Sequence, residues 1–179
     1  MRIAYADPPY IGCAHLYKDH PDYAGEVDHV ELLQRLDRDY DGWILHASAP
    51  SLPTVLHIAE EYGVGPYRVM PWVKPFAAFK RNVSVAYAWE PVLVKAARKP
   101  VVTKEVVMRD WRMAEDGDPH LPDWIAESIT MKKGLTGAKP VKVIEWLFHV
   151  VGAEREDELV DLYPGTGIVG ETWKAWQAR

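Results

Sequence analysis

Short apolar runs alternate along this chain with segments of helical period, and that alternation restricts the fold more than any other feature. Arg2–Ala6 is an apolar run stopped by Asp7-Pro8-Pro9, which reads as a buried strand ending in a rigid turn. Residues 43–47, 67–73, 85–94 and 159–162 read as further strands, with Pro91 placing part of the fourth at an edge or bulge. Residues 27–36 put Val30, Leu33 and Leu36 on one helical face. Ser51 is a candidate cap for a helix with Pro53 in its first turn, stopped by Gly63. Pro140 opens a helix in which Ile144, Leu147, Phe148 and Val151 keep the i, i+3, i+4, i+7 spacing, and Gly152 closes it. Residues 170–177 open the last helix. Residues 101–108 have strand-forming composition, and 124–129 read as one or two helical turns. Strands alternating with helices predict an α/β sheet of parallel strands, about five of them, in one domain over residues 1–179. Residues 99–138 are the one candidate for a mobile lid or substrate-recognition insert.

The chain is 48% hydrophobic and 26% charged, the balance of a soluble globular protein rather than of a disordered or fibrous one. No apolar run approaches the roughly 18–20 residues of a membrane span, and the first residues lack the apolar stretch of a signal peptide. Cys13 is the only cysteine, which excludes intramolecular disulfides and multi-thiolate zinc sites and fits a reducing cytoplasm. His15 and His20 stand five apart in a loop, without metal-ligand spacing, so no metal is expected. The net charge of −5 argues against a simple polycation, but the charge is segregated. Residues 19–61 carry ten acidic and two basic side chains, and residues 74–112 nine basic and three acidic. Such segregation permits one phosphate-facing surface on an acidic protein, or is ordinary surface charge.

Both distinctive motifs fall at the end of a predicted strand, where open sheets of this kind bind ligands. In Asp7-Pro8-Pro9-Tyr10, two prolines fix two φ angles and remove two donors. What remains is a run of carbonyl acceptors between a carboxylate and an aromatic ring. That set suits a planar, amino-bearing nucleobase: the polar groups accept from the exocyclic amine, and the ring stacks. In Asp161-Leu162-Tyr163-Pro164-Gly165-Thr166-Gly167, the glycines admit positive φ and close approach. The following helix presents unpaired N–H groups. The carboxylate can reach an ammonium or a hydroxyl. No Gly-Lys-Ser/Thr follows, which argues against a phosphate-binding P-loop.

Together these motifs resemble the amino-directed DNA methyltransferases that use S-adenosylmethionine. That family writes its catalytic motif Asp/Asn/Ser-Pro-Pro-Tyr/Phe/Trp and its cofactor motif Asp-x-Phe-x-Gly-x-Gly, with Tyr163 here in the aromatic slot. The catalytic motif comes first and the cofactor motif last, which resembles the permuted β-type order shared with the eukaryotic mRNA adenosine methyltransferases. Lys139-Pro140 is similar to the Lys-Pro pair that opens the helix before the cofactor strand. Trp72-Val73-Lys74 is similar to Trp-x-Lys, and Trp89-Glu90-Pro91-Val92-Leu93-Val94 to His-Glu-x-Ile/Leu, with Trp where His is usual.

The resemblance implies a reduced, circularly permuted Rossmann-like class I methyltransferase sheet and methyl transfer to the exocyclic amine of adenine in DNA. Asp at the first motif position weights adenine over cytosine. RNA, cytosine N4 and a free nucleotide are the neighbouring alternatives, and an inactive scaffold or partner subunit the alternative of another class. Asp7, Pro8, Pro9 and Tyr10 would be catalytic, with Asp7 and the Pro8 carbonyl localising the lone pair of the amine. Ala6, Asp7, Lys139, Asp161, Tyr163, Gly165, Thr166 and Gly167 would hold the cofactor, Lys139 lying near its carboxylate. Lys74, Lys80, Arg81 and Asn82 would meet the nucleic acid. In the family a further strand supplies an acidic residue to the cofactor ribose, and none follows the glycine loop before Arg179. That departure implies another element or a partner subunit in its place, reduced cofactor affinity, or an inactive chain. Trp173 and Trp176 on the last helix would pack against the sheet or form a homodimer contact.

Overall fold

The computed structural model describes residues 1–18, 25–75, 84–100, 102, 120–129 and 138–179. Among these, six strands form one mixed sheet in the order β5-β3-β4-β2-β1-β6. They are β1 (Arg2–Ala6), β2 (Gly42–His46), β3 (Arg68–Val73), β4 (Trp89–Lys95), β5 (Ile125–Ala126) and β6 (Glu158–Asp161). The helices are α1 (His29–Asp39), α2 (Leu52–Glu61), α3 (Val141–Val151) and α4 (Ile168–Gln177). Ile3, Ala4, Tyr5 and Ala6 are wholly buried, as expected of a central strand covered on both faces.

The period of two along each strand sorts the core into two layers. Ile3, Tyr5, Ile44, Trp72, Val92 and Val94 pack against α3 and α4. Ala4, Ala6, Trp43, Leu45 and Leu93 pack against α1 and α2. β1 pairs in parallel with β2 on one side and with β6 on the other. The two neighbours are reached through helices on opposite faces, so the β1/β6 border is the topological switch point, where open sheets of this kind bind their ligands.

The parallel expectation fails at β4, which runs antiparallel to both β2 and β3. β3 and β4 are consecutive strands whose antiparallel ladder continues outward, Lys74 N–H donating to the Ala88 carbonyl (2.7 Å). Pro91 is therefore central rather than at an edge. It stands opposite Pro71, and its carbonyl accepts from Ala47 N–H (3.0 Å). Ala47 lies just past the end of β2, so the missing proline donor falls where that ladder is finishing. Residues 125–126, expected to be helical, form β5 beside β3, and the strand count is six rather than five. Ser51 stands at the N-cap of α2, but its hydroxyl donates to the Ser48 carbonyl instead of bonding the helix. Of the strand expected at 101–108, only residue 102 is described.

The edges are fixed by specific contacts. Asp28 caps α1, accepting from Val30 N–H (2.9 Å) and Glu31 N–H (3.0 Å). Gly152 ends α3 at φ 75°, and a Cβ there would lie 2.6 Å from the Arg98 carbonyl oxygen. Arg98 grips Asp157 with two nitrogens, at 2.7 and 2.8 Å, tying the end of β4 to the entry of β6. The Asp157 side chain is 3% exposed, and these donors hold its carboxyl far below the usual range. Its stabilisation is present above the unfolded pKa near 4 and is lost as pH falls. Asp157→Asn is expected to cost about 3 kcal/mol at pH 7 by thermal or urea unfolding. The gap to wild type should close as pH drops below about 4; a variant as stable as wild type at pH 7 removes this clamp from the description.

Candidate active site

One face of the sheet collects the polar side chains. Tyr5 is opposite Asp161 in the β1/β6 register and opposite Ile44 in the β1/β2 register. Moving two residues along each strand keeps the face, so Asp7 and His46 follow Tyr5 and Ile44 onto the α3 side. Across β4 the same face carries Val92 and Glu90, and Glu90 is opposite Trp72. Lys139, just before the N-cap Pro140 of α3, lies over this row. The strand ends, one helix start and the side-chain period thus bring Asp7, His46, Glu90, Lys74 and Lys139 to one place.

Their contacts form a continuous network. Lys139 Nζ donates to both oxygens of Asp7 (2.8 and 2.7 Å) and sits 3.2 Å from Glu90 Oε1. It also reaches Tyr10 Oη at 3.4 Å and lies 5.8 Å from the Tyr10 ring centre. Glu90 Oε2 accepts from Lys74 Nζ (2.8 Å), whose ammonium stacks over Trp72. Glu90 Oε1 faces His46 Nδ1 (3.1 Å), and His46 Nε2 faces Tyr5 Oη (2.7 Å). Two carboxylates and two ammoniums balance within a largely buried volume, as buried charges must. Although burial alone raises the Glu90 carboxyl, Lys139, His46 and Lys74 together hold it well below its ordinary value. The Lys139 ammonium is pushed up by Asp7 and Glu90 despite its burial. Asp7, His46 and Glu90 also bring one potential metal-ligand atom each within 4.8 Å of the others, and Lys139 supplies the positive charge among them.

The glycine loop lies beside this network. Leu162 N–H donates to the Tyr5 carbonyl (2.9 Å), continuing the parallel ladder past Asp161. Thus the turn that opens the chain and the loop near its far end share one rim. Asp161 Oδ1 accepts from Tyr163 N–H (3.2 Å), whereas Asp161 Oδ2 is buried with no hydrogen-bond partner among the described residues. Burial, with Asp7 nearby, raises the Asp161 carboxyl to about 6. Gly167 caps α4 at φ 75°, and nothing lies within 4 Å of where its Cβ would stand. An orphaned carboxylate oxygen beside an open glycine cradle and a helix N-terminus fits a ligand carrying both an ammonium and acceptor groups.

The sequence-predicted residues separate accordingly. Ala6, Asp7, Pro8, Pro9, Tyr10, Lys139, Asp161, Tyr163, Gly165, Thr166 and Gly167 all belong to this rim or its two turns. Lys139, expected near a cofactor carboxylate, is bound to Asp7 and Glu90. Lys74, expected on nucleic acid, is 19% exposed and paired with Glu90. Lys80, Arg81 and Asn82 lie outside the described residues. Lys95 and Arg98, from the same basic stretch, each face a carboxylate. His46 and Tyr5 were missed as site residues. The available signal was a polar imidazole ending the apolar run Trp43-Ile44-Leu45.

Because the folded pKa of Asp161 exceeds its unfolded value, ionising it costs stability, fully above about pH 6 and not at all below about pH 4. Asp161→Asn is therefore expected to raise the melting temperature at pH 8, with the gain shrinking toward pH 4. An unchanged or lowered melting temperature at pH 8 contradicts the unpaired carboxylate.

No protein-family model matches this chain, and no curated protein is significantly similar to it in sequence. Among solved structures, the M1.HpyAVI–SAM complex resembles it with a TM-score of 0.60 at 18% identity, over 98% of this chain and 78% of that one. A second structure, of M1.HpyAVI, gives 0.50 at 16%, over 98% and 76%. The six-stranded mixed sheet with its four helices is thus a Rossmann-like methyltransferase fold in a single domain.

Proposed function

We propose that this protein transfers a methyl group from S-adenosylmethionine to the exocyclic amine of adenine in DNA. The observation that carries the reading is the meeting of the Asp7 turn and the Asp161 loop at one rim, on adjacent parallel strands. The likeness to M1.HpyAVI, solved with SAM, supports the cofactor. The Asp-Pro-Pro-Tyr turn supports the amine substrate.

Asp161 Oδ2 would accept from the cofactor's ammonium, with Gly165, Thr166 and Gly167 forming the backbone cradle below it. When bound, S-adenosylmethionine supplies an electrophilic methyl group. The rest falls to the chain. An aromatic amine is a poor nucleophile because its lone pair is delocalised into the ring. Asp7 and the Pro8 carbonyl accept its two N–H bonds, which favours pyramidal nitrogen and localises the lone pair. A carboxylate offers about four acceptor sites, so Asp7 can hold Lys139 and the amine together. Tyr10 stacks on the base, and the proton released on methylation passes to Asp7 as the general base. A base in a duplex must first be flipped out to reach this turn.

Labelled S-adenosylmethionine with mixed DNA, digested to nucleosides, is expected to leave label on N6-methyl-2′-deoxyadenosine. Label on cytosine alone, or nowhere, defeats the reading; label taken up more readily by RNA or a mononucleotide reassigns the substrate. Asp7→Ala is expected to lower the rate at least about 10²-fold while cofactor binding persists. Cofactor affinity is expected to fall as pH drops below about 6, up to tenfold per unit, as Asp161 takes up the proton that an ammonium ligand excludes. Affinity independent of pH from 5 to 8 removes Asp161 from the cofactor site.

A further inference from the structure

We infer that His46, held by Tyr5, is a positioning residue for methyl transfer, acting through Glu90 and Lys139 on Asp7. The inference rests on the proposed methyltransferase reading and adds residues that no sequence motif marks.

The protons along this string can be assigned. Glu90 is held ionised, and a carboxylate only accepts, so His46 Nδ1 must carry the hydrogen between them. Tyr5 is wholly buried and its phenol pushed well above the ordinary range, so it keeps its proton and shares a hydrogen bond of 2.7 Å with His46 Nε2. The imidazole therefore carries a hydrogen on Nδ1 and is held from both sides, by Glu90 and by Tyr5. It is 1% exposed, so its orientation is set by these two bonds and the packing around it.

The consequence lies two residues away. His46 keeps Glu90 Oε1 turned toward Lys139 while Oε2 holds Lys74. Lys139 is thereby shared between two carboxylates, at 2.7 Å from Asp7 and 3.2 Å from Glu90. A shared ammonium leaves Asp7 more negative, and a stronger acceptor for the amine, than an ammonium paired with Asp7 alone. Without Glu90, Lys139 keeps its two bonds to Asp7 and its charge is no longer shared, which makes Asp7 the weaker acceptor. That step changes the rate of transfer without touching the cofactor cradle on β6.

The experiment compares His46→Leu, His46→Asn and Tyr5→Phe with wild type. His46→Leu is expected to lower kcat by about tenfold or more, with the dissociation constant for S-adenosylmethionine, measured by calorimetry, within twofold of wild type. Asparagine places its amide nitrogen where Nδ1 stands, so His46→Asn should recover most of that loss. Tyr5→Phe should fall between them. Long-range proton–nitrogen spectra of histidine-labelled wild type should show a hydrogen on His46 Nδ1. An active wild type with an equally active His46→Leu overturns this inference alone. So does an asparagine variant as slow as leucine, a loss of cofactor affinity that matches the loss of rate, or a ring without a hydrogen on Nδ1. A wild-type chain that binds the cofactor but methylates nothing overturns the enzymatic reading and this inference with it.

Discussion

The ammonium of Lys139, enclosed between Asp7 and Glu90, is the interaction on which the rest of the site depends. Together with Lys74 and His46 it keeps the buried Glu90 ionised, and Asp7 and Glu90 in turn keep the ammonium charged. The partners come from distant parts of the sequence: the first turn, the fourth strand and the residue before α3. The folded sheet is what brings them within about 3 Å of one ammonium. A buried ionic cluster of this kind is a costly way to stabilise a fold, since apolar packing of the same volume does as well. Its place at the rim where the turns leaving β1 and β6 meet is what makes a chemical role the economical reading.

The position of that cluster follows from topology. β1 has parallel neighbours on both sides, reached through helices on opposite faces, which makes its border with β6 the topological switch point. Both sequence motifs are the turns that leave β1 and β6, so the fold presents them together whatever their separation along the chain. The antiparallel β3–β4 pair then adds Glu90 and Lys74 from the side. The antiparallel entry of β4 matters here. It brings the start of β4 to the same end of the sheet as the ends of β1 and β2, and so puts Glu90 beside His46.

Much of this was legible in the sequence because it rests on local rules. The run Arg2–Ala6 followed by two prolines can only be a buried strand with a rigid exit, and Gly152 and Gly167 sit where positive φ is observed. What could not be read was non-local. Nothing in residues 85–94 states that the strand runs antiparallel, since direction is set by the pairing with β3 and not by apolar pattern. Lys139 and Lys74 were recognisable as site residues, but their partners were not. A lysine beside a carboxylate and a lysine beside a phosphate look alike until the sheet is assembled. His46 escaped because an imidazole inside an apolar run is more often a packed core residue than part of a site.

The most direct test is a crystal structure of this chain with S-adenosylhomocysteine and adenosine. The predicted result has the amino group of the cofactor product within hydrogen-bond distance of Asp161 Oδ2. It also has the exocyclic nitrogen of adenosine on Asp7 and the Pro8 carbonyl, with the sulfur facing that nitrogen. A cofactor product bound away from the β1/β6 border, or adenosine seated far from Asp7, would contradict the shared rim as a site of methyl transfer.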